Sequence, residues 1–339
     1  MTAPTSATLE YPTEVFTFSG QTSLDTWSLK DFFDEHGKAR YHQFLNHEPV
    51  LLLERIRELV DAFPTYQHTA DTGRPPVDER THLIAMLLRQ LLDLSFAALE
   101  GWLRVLQGFF AIPDKDLGSE STYSRKNRSP RFTRLLERFH AFLHDLLPER
   151  DAIIATDATG FSGQTTAWAN KDPALRATEN WEKTHLAVEI PTLVTLSLDF
   201  TDSHRHESQR FEAVWSNLPD NVDPVRSLAD AAYAGNDCLK VAREHGATPI
   251  HDLRKDHRYE RFPDTAYEKL CNFATHWPNR YEELTADRSL IESKIGCVKQ
   301  TTSGRVRCRD ERGRRNEVRT KVLADDVRML ELRRFLVAS

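Results

Sequence analysis

Cysteine is scarce: the chain has four in 339 residues, Cys238, Cys271, Cys297 and Cys308. They are scattered, and no pair has zinc-knuckle spacing. A disulfide scaffold and a cysteine-held metal are both excluded. The thiols read as reduced and at least half-buried, which makes the cytoplasm the expected compartment. Long apolar runs are missing as well. The nearest to one, LIAMLLRQLLDLSFAALEGWLRVLQGFFAI, is broken by Arg89, Asp93, Glu100 and Arg104. It reads as core helices rather than a membrane span. The start, MTAPTSATLEYP, has no cationic head and no apolar stretch, so no signal peptide is expected. There is no internal repeat. An overall basic excess is lacking too: Lys+Arg number 45 against 51 Asp+Glu, a net charge of −6. Evenly spread, that charge would argue against a nucleic-acid protein.

It is not evenly spread. Between Arg288 and Lys321 stand 11 Lys/Arg against 4 Asp/Glu, a local net of +7. A basic stripe of this kind suits phosphate contact, and a solvated face is the other reading. With 40% hydrophobic and 28% charged residues the chain is otherwise ordinary and globular. Its length suggests two domains.

Residues 1–30 are Thr/Ser-rich and aperiodic, and read as a flexible leader. From 31 to 148 the pattern is all-helical. EPVLLLERIRELVDAF places Val50, Leu53, Ile56, Leu59 and Val60 on one helical face. DTGRPPVDER is a loop, a helical hairpin follows over about 79–110, and another amphipathic helix covers about 131–147. After that the period changes. AIIATDAT, THLAVEI, LVTLSLDF, RSLADA and TPIHDL read as five strands, the last three interleaved with helices. A final helix is expected over about 286–299. The fold class from 149 to 339 is therefore α/β: a mixed five-stranded sheet with flanking helices.

Asp157 ends the apolar stretch IIAT, and Gly160 follows three residues on. Either the pair makes a turn, or Asp157 is a metal ligand at the exit of a strand. Asp230 ends the short apolar strand in VRSLADAAYAG in the same manner. If the two strands are parallel neighbours, the carboxylates lie side by side at the sheet edge where open α/β folds place their sites. Two such charges call for a cation, and all-oxygen ligation suits Mg²⁺ or Mn²⁺. In DRSLIESKIGCVK, helical spacing puts Arg288, Glu292 and Lys299 on one polar stripe. Leu284, Ile291, Ile295 and Val298 form an apolar stripe beside it. The plain alternative is an exposed Arg288–Glu292 pair.

Together these blocks resemble the DDE transposases of prokaryotic insertion sequences, in the group built on insertion sequences four and five. Asp157 stands in an Asp-x-Thr stretch and Asp230 in an Asp-x-x-Tyr stretch with Tyr233. Arg288, Glu292 and Lys299 match the family's third block. That block's tyrosine position holds Thr285, so the aromatic's role is either lost or taken by Tyr281. The stretches KTHLAVEI and DSHRHESQRF also resemble family segments, and the likeness covers about 150–335. The resemblance implies a ribonuclease-H-like catalytic domain. It implies metal-assisted cleavage and strand transfer of DNA, with Asp157, Asp230 and Glu292 holding two Mg²⁺ or Mn²⁺ ions. It also implies Lys299 and Arg288 at the DNA, and a homodimer on the element's terminal inverted repeats.

The helical domain would bind those ends, with Arg125, Lys126 and Arg128 in STYSRKNRS as a helix-turn-helix reader. A solvated helix end is the rival reading there. Arg305, Arg307, Arg309, Arg312, Arg314 and Arg315 have few acidic neighbours in sequence, and are expected to meet phosphates. Asp202-x-His204-x-His206 is a weak zinc pattern on a polar loop. Trp168, Trp181 and Trp277 read as packing residues, the last in a small aromatic core. Two other functions remain open: a decayed transposase that only binds DNA, and a metal-dependent phosphoesterase. The basic stripe favours DNA over a small substrate, and the retained carboxylates favour activity over decay.

Overall fold

The computed structural model describes residues 38–65, 77–163, 181–190, 192–201 and 206–337. The leader, Asp202, His204 and Trp168 lie outside the described residues, as does the side chain of Trp181. Five helices come first: α1 (Lys38–Ala62), α2 (Glu79–Leu91), α3 (Phe96–Leu106), α4 (Glu120–Asn127) and α5 (Pro130–Asp145). Side-chain caps start three of them. Asp78 accepts from the Arg80 N–H, Ser95 from Ala98 and Ser129 from Phe132, the last with Pro130 in the first turn. The long apolar run is split between α2 and α3, which are bent by 115°. Among the described residues no single helix is long and apolar enough to cross a membrane.

The sheet has the order β3-β2-β1-β4-β5, formed by β1 (Arg150–Gly163), β2 (Trp181–Glu189), β3 (Val194–Thr201), β4 (Val222–Ala229) and β5 (Thr248–Pro249). The two pairings among β1, β2 and β3 are antiparallel; β4 and β5 run parallel to β1. A short β6 (Arg305–Val306), not expected from sequence, pairs parallel to the end of β1. Residues alternate between the two faces of β1, as the strand period demands. Ile153 and Ala155 face a core shared with Ile291, Val298, Val318 and Val322. Ala152 and Ile154 face Phe211, Trp215 and Tyr233.

Around the sheet lie α6 (Phe211–Trp215), α7 (Asn236–Glu244), α8 (Ala266–His276), α9 (Pro278–Thr285), α10 (Ser289–Thr302) and α11 (Glu311–Val337). The expected apolar stripe of α10 is present. Ile291 and Val298 are buried and Ile295 packs half-buried on the same core, joined there by Leu284, which lies at the end of α9 rather than on α10. The four cysteines are free.

Three expectations need correction. Asp157 does not stand at the exit of β1, because the strand continues to Gly163 and Gly160 sits in the ladder opposite Lys183. What ends near Asp157 is the parallel pairing with β4. Trp277 is exposed rather than in a small core. Its neighbours Tyr267, Phe273 and Tyr281 turn instead to the sheet core.

The last correction is the largest. The segment read as a basic stripe runs into a 27-residue helix, α11, that is mostly buried beyond its first turn. It packs against α1, α2 and α5 on one side and α10 and β3 on the other. Its charged residues are held inside by partners: Glu317 pairs with Arg89 of α2 and accepts the Arg307 and Cys308 N–H groups at 3.0 Å.

Candidate active site

Parallel pairing sets the first two carboxylates. Thr156 of β1 lies opposite Ala229 of β4, so the next residue on each strand, Asp157 and Asp230, stands at the edge of that pairing. Trp215 fixes the strand below by donating its indole N–H to the Thr156 hydroxyl at 3.0 Å. Asp157 accepts the Ala158 N–H at 2.7 Å, and Asp230 accepts the Ala232 N–H at 2.9 Å to cap a short 3₁₀ turn. One oxygen of each is thereby oriented by the backbone. Burial pushes Asp157 up to about 6, helped by the negative charges of Asp230 and Glu207. Burial raises Asp230 as well, again with Glu207 adding to it.

The third block arrives on α10. Arg288, just before the helix, has its Nη1 2.9 Å from Glu292 Oε1 and its Nε 2.6 Å from Asp252 Oδ2. Its charge also reaches Asp157 and Asp230. The Glu292 side chain remains 59% exposed. Lys299, farther along α10, donates to the Thr159 hydroxyl at 2.6 Å and lies over the Phe161 ring, so it meets β1 just beyond Asp157. Asp157, Asp230, Arg288 and Lys299 therefore gather at one edge. Glu292 is tied to that edge through Arg288. No three Asp, Glu, His or Cys groups among the described residues close on a single metal position.

A match to the family model "Transposase DDE domain" covers residues 148–324. The chain belongs to the DDE transposase family. No curated protein and no solved structure matches it. The mixed sheet with its flanking helices is that family's ribonuclease-H-like fold, here preceded by a helical region.

The transposase's family chemistry uses a divalent metal ion. Asp157 and Asp230 fit one: they are hard oxygen donors, side by side, partly desolvated, and oriented by backbone N–H groups. Glu292 is within the same charge network but bonded to Arg288.

Two acidic residues were missed in the sequence. Asp252 follows the two-residue β5, with Ile250 and His251 buried between them. Glu207 pairs with Lys183 at 2.9 Å and acts on both aspartates. Tyr233 is buried beside them, and its hydroxyl has no hydrogen-bond partner among the described residues. The Tyr281 hydroxyl donates to the His251 carbonyl at 2.7 Å, next to Asp252. His206 turns to the Ser208 hydroxyl.

The arginines divide. Arg307 pairs with Asp93 at 2.9 Å, and Arg314 and Arg315 pair with Glu182. The expectation that these three meet phosphates loses ground, because they are held in ion pairs whose partners are mostly distant in sequence; Arg315 also pairs with Glu311 one turn earlier. Arg305, Arg309 and Arg312 are exposed and have no ion pair among the described residues. In α4, Lys126 turns inward to the Val77 carbonyl, and burial lowers it to about 8. Arg125 and Arg128 stay exposed. Asn127 donates to the Gly313 carbonyl at 3.2 Å, and Asn316 donates to the Asn127 carbonyl at 2.7 Å. The basic end of α4 and the start of α11 are thus neighbours on one surface.

The aspartate edge has a pH signature. Asp157 is raised in the folded chain, so its contribution to stability is present below about pH 4 and is lost as pH rises through about 6, and Asp230 is raised in the same direction. In metal-free protein, Asp157→Asn is expected to melt above wild type at pH 7, with the gain shrinking toward pH 4. Melting curves of both proteins across that range test this; a difference that does not change with pH would mean the carboxyl is not desolvated.

Proposed function

We propose that this transposase cleaves DNA at the ends of its own insertion sequence and joins those ends to a target. Asp157, Asp230 and Glu292 would hold a pair of Mg²⁺ or Mn²⁺ ions, which when bound activate the attacking oxygen and neutralise the leaving one. The observation that carries the reading is the placement of Asp157 and Asp230 at the edge of the β1–β4 pairing, inside the domain that matches the family. Lys299 holds a phosphate of the element end beside Asp157. Arg288 either orients Glu292 or contacts the DNA backbone. The helical domain, 31–148, binds the terminal inverted repeats and pairs two copies on DNA, while 149–339 does the chemistry.

Incubating the purified protein with Mg²⁺ and a duplex bearing the element's own termini tests the reading directly. Cuts at the terminal repeat support it. Binding without any cut, or cutting of unrelated duplex at the same rate, overturns it.

Arg305, Arg309, Arg312, Arg125 and Arg128 follow the DNA backbone on the proposed surface. Each phosphate contact releases condensed counterions and steepens the salt dependence of binding. Arg309→Gln and Arg312→Gln together are expected to flatten the log–log salt slope by about one unit each, with preference for the terminal repeat little changed. Arg314→Gln, which breaks the pair with Glu182, serves as the comparison and should leave the slope near wild type. An unchanged slope in the double variant would make Arg309 and Arg312 solvated surface.

A further inference from the structure

Arg288 is the cation that stands at the aspartate edge. Its guanidinium stands among four carboxylates, Asp157, Asp230, Asp252 and Glu292. Left free, it would settle on the two aspartates and oppose any divalent ion entering there.

What keeps it aside is Asp252. The Asp252 backbone N–H donates to the Ala229 carbonyl at 2.8 Å, which fixes Asp252 alongside the end of β4 and next to Asp230. The preceding residue is clamped from three sides. His251 Nδ1 donates to the Tyr233 carbonyl at 2.9 Å, and its Nε2 accepts from the Ser227 hydroxyl at 2.8 Å. The Tyr281 hydroxyl holds the His251 carbonyl. Asp252 is therefore placed by the sheet itself and grips the Nε edge of Arg288 at 2.6 Å. Glu292, by contrast, meets Arg288 from a half-open helix position, and its side chain can swing away.

We propose that Asp252 is a positioning residue of the transposase site: it anchors Arg288 to one side, so that a divalent cation can take the Asp157–Asp230 edge and Glu292 can leave Arg288 to join it. This rests on the reading that Asp157 and Asp230 hold the metal. Asp252 itself touches no metal in this account and acts through Arg288 alone.

The test is Mn²⁺ binding to the full-length protein without DNA, followed by calorimetry and by the metal-induced rise in melting temperature. A unit cation released onto the two aspartates repels a divalent ion there, and Asp252→Ala is expected to weaken Mn²⁺ binding by about tenfold or more. Asp252→Asn should lose less, since its amide oxygen still accepts from Arg288. The decisive arm is the double variant Asp252→Ala/Arg288→Met. With the competing cation removed, Mn²⁺ affinity should return to within a few-fold of wild type. A purely structural role for Asp252 gives no such rescue.

Wild-type affinity in Asp252→Ala overturns the proposal. So does a double variant as weak as Asp252→Ala, because Asp252 would then bind the metal directly or act only through folding. Asp157→Asn separates the underlying reading: if it binds Mn²⁺ like wild type, the aspartate edge is not the metal site at all. If it loses Mn²⁺ while Asp252→Ala does not, only the role of Asp252 falls.

Discussion

Replacing Asp157 by asparagine is expected to slow cleavage of element-end DNA by about 10³-fold or more while leaving DNA binding near wild-type strength. Asparagine keeps the size of the side chain and can still accept the Ala158 N–H that orients Asp157 now. What it removes is the charge. A neutral amide beside Asp230 would no longer hold the proposed pair of divalent ions, and the attacking and leaving oxygens would lose their common stabilisation. In the proposed reading, binding rests elsewhere, on the helical domain and the exposed arginines at the α4–α11 surface. Asp230→Asn should behave alike. The double variant should be no slower than either single one, because residues acting as one unit do not contribute additively. Gel-shift titration and end-cleavage assays on the same preparations read both quantities. Near-wild-type cleavage by Asp157→Asn would make Asp157 a strand residue without a chemical role.

The strands were legible because their signal is local. Apolar residues on both faces mark β1 and β4 as covered on both sides, and the alternation of Ile153 and Ile154 between two cores is what that pattern means. Asp157 and Asp230 were legible for the same reason: a carboxylate that closes a run of buried residues is out of place unless something needs it. Asp252 follows a β5 of only two residues and then the buried Ile250 and His251, a lead-in too short to stand out. Helix α11 was hidden for the opposite reason. Its buried positions include Glu317, Lys321, Asp325, Asp326 and Arg328, which read as surface. Each is tolerable inside only through partners from other parts of the chain, such as Arg89 for Glu317 and Glu48 for Arg328. Pairing at that range leaves no periodic trace. The same blindness misread Arg314 and Arg315, whose shared partner Glu182 lies across the sheet on β2.

Those buried charges also set the position of α10, and the largest expected loss of stability lies there. Lys294 is two residues from Glu292, and its side chain is 0% exposed. Its ammonium meets Asp325 and, at 2.7 Å, Asp326, both on α11 and both 0% exposed. Asp326 in addition accepts the Thr195 N–H of β3 at 3.0 Å. In the reverse direction, Lys321 of α11 donates to the Thr302 carbonyl at the end of α10. The helix that carries Glu292 and Lys299 is thus fastened to α11 at two levels.

Lys294→Met keeps the apolar stem and removes the ammonium bonded to both aspartates, which leaves two carboxylates in a dry interior. Removing one partner of a buried ion pair costs about 3–5 kcal/mol. The deficit should depend on pH. Burial already raises Asp325 above its ordinary value, so its contribution is present below the unfolded value of about 4 and is lost as pH rises through the folded one, and losing the lysine deepens this. The variant should therefore be weakest near neutral pH and recover relative to wild type on acidification. Lys294→Met combined with Asp325→Leu and Asp326→Asn should regain most of the loss even at pH 7. The charges are then gone together, and the asparagine still accepts from Thr195. Denaturant midpoints of the three proteins at pH 5 and 7 provide the comparison. A single variant unfolding at the wild-type midpoint at pH 7 would mean that α10 is held by its apolar face, Ile291 and Val298, and that the buried triad contributes nothing to its position.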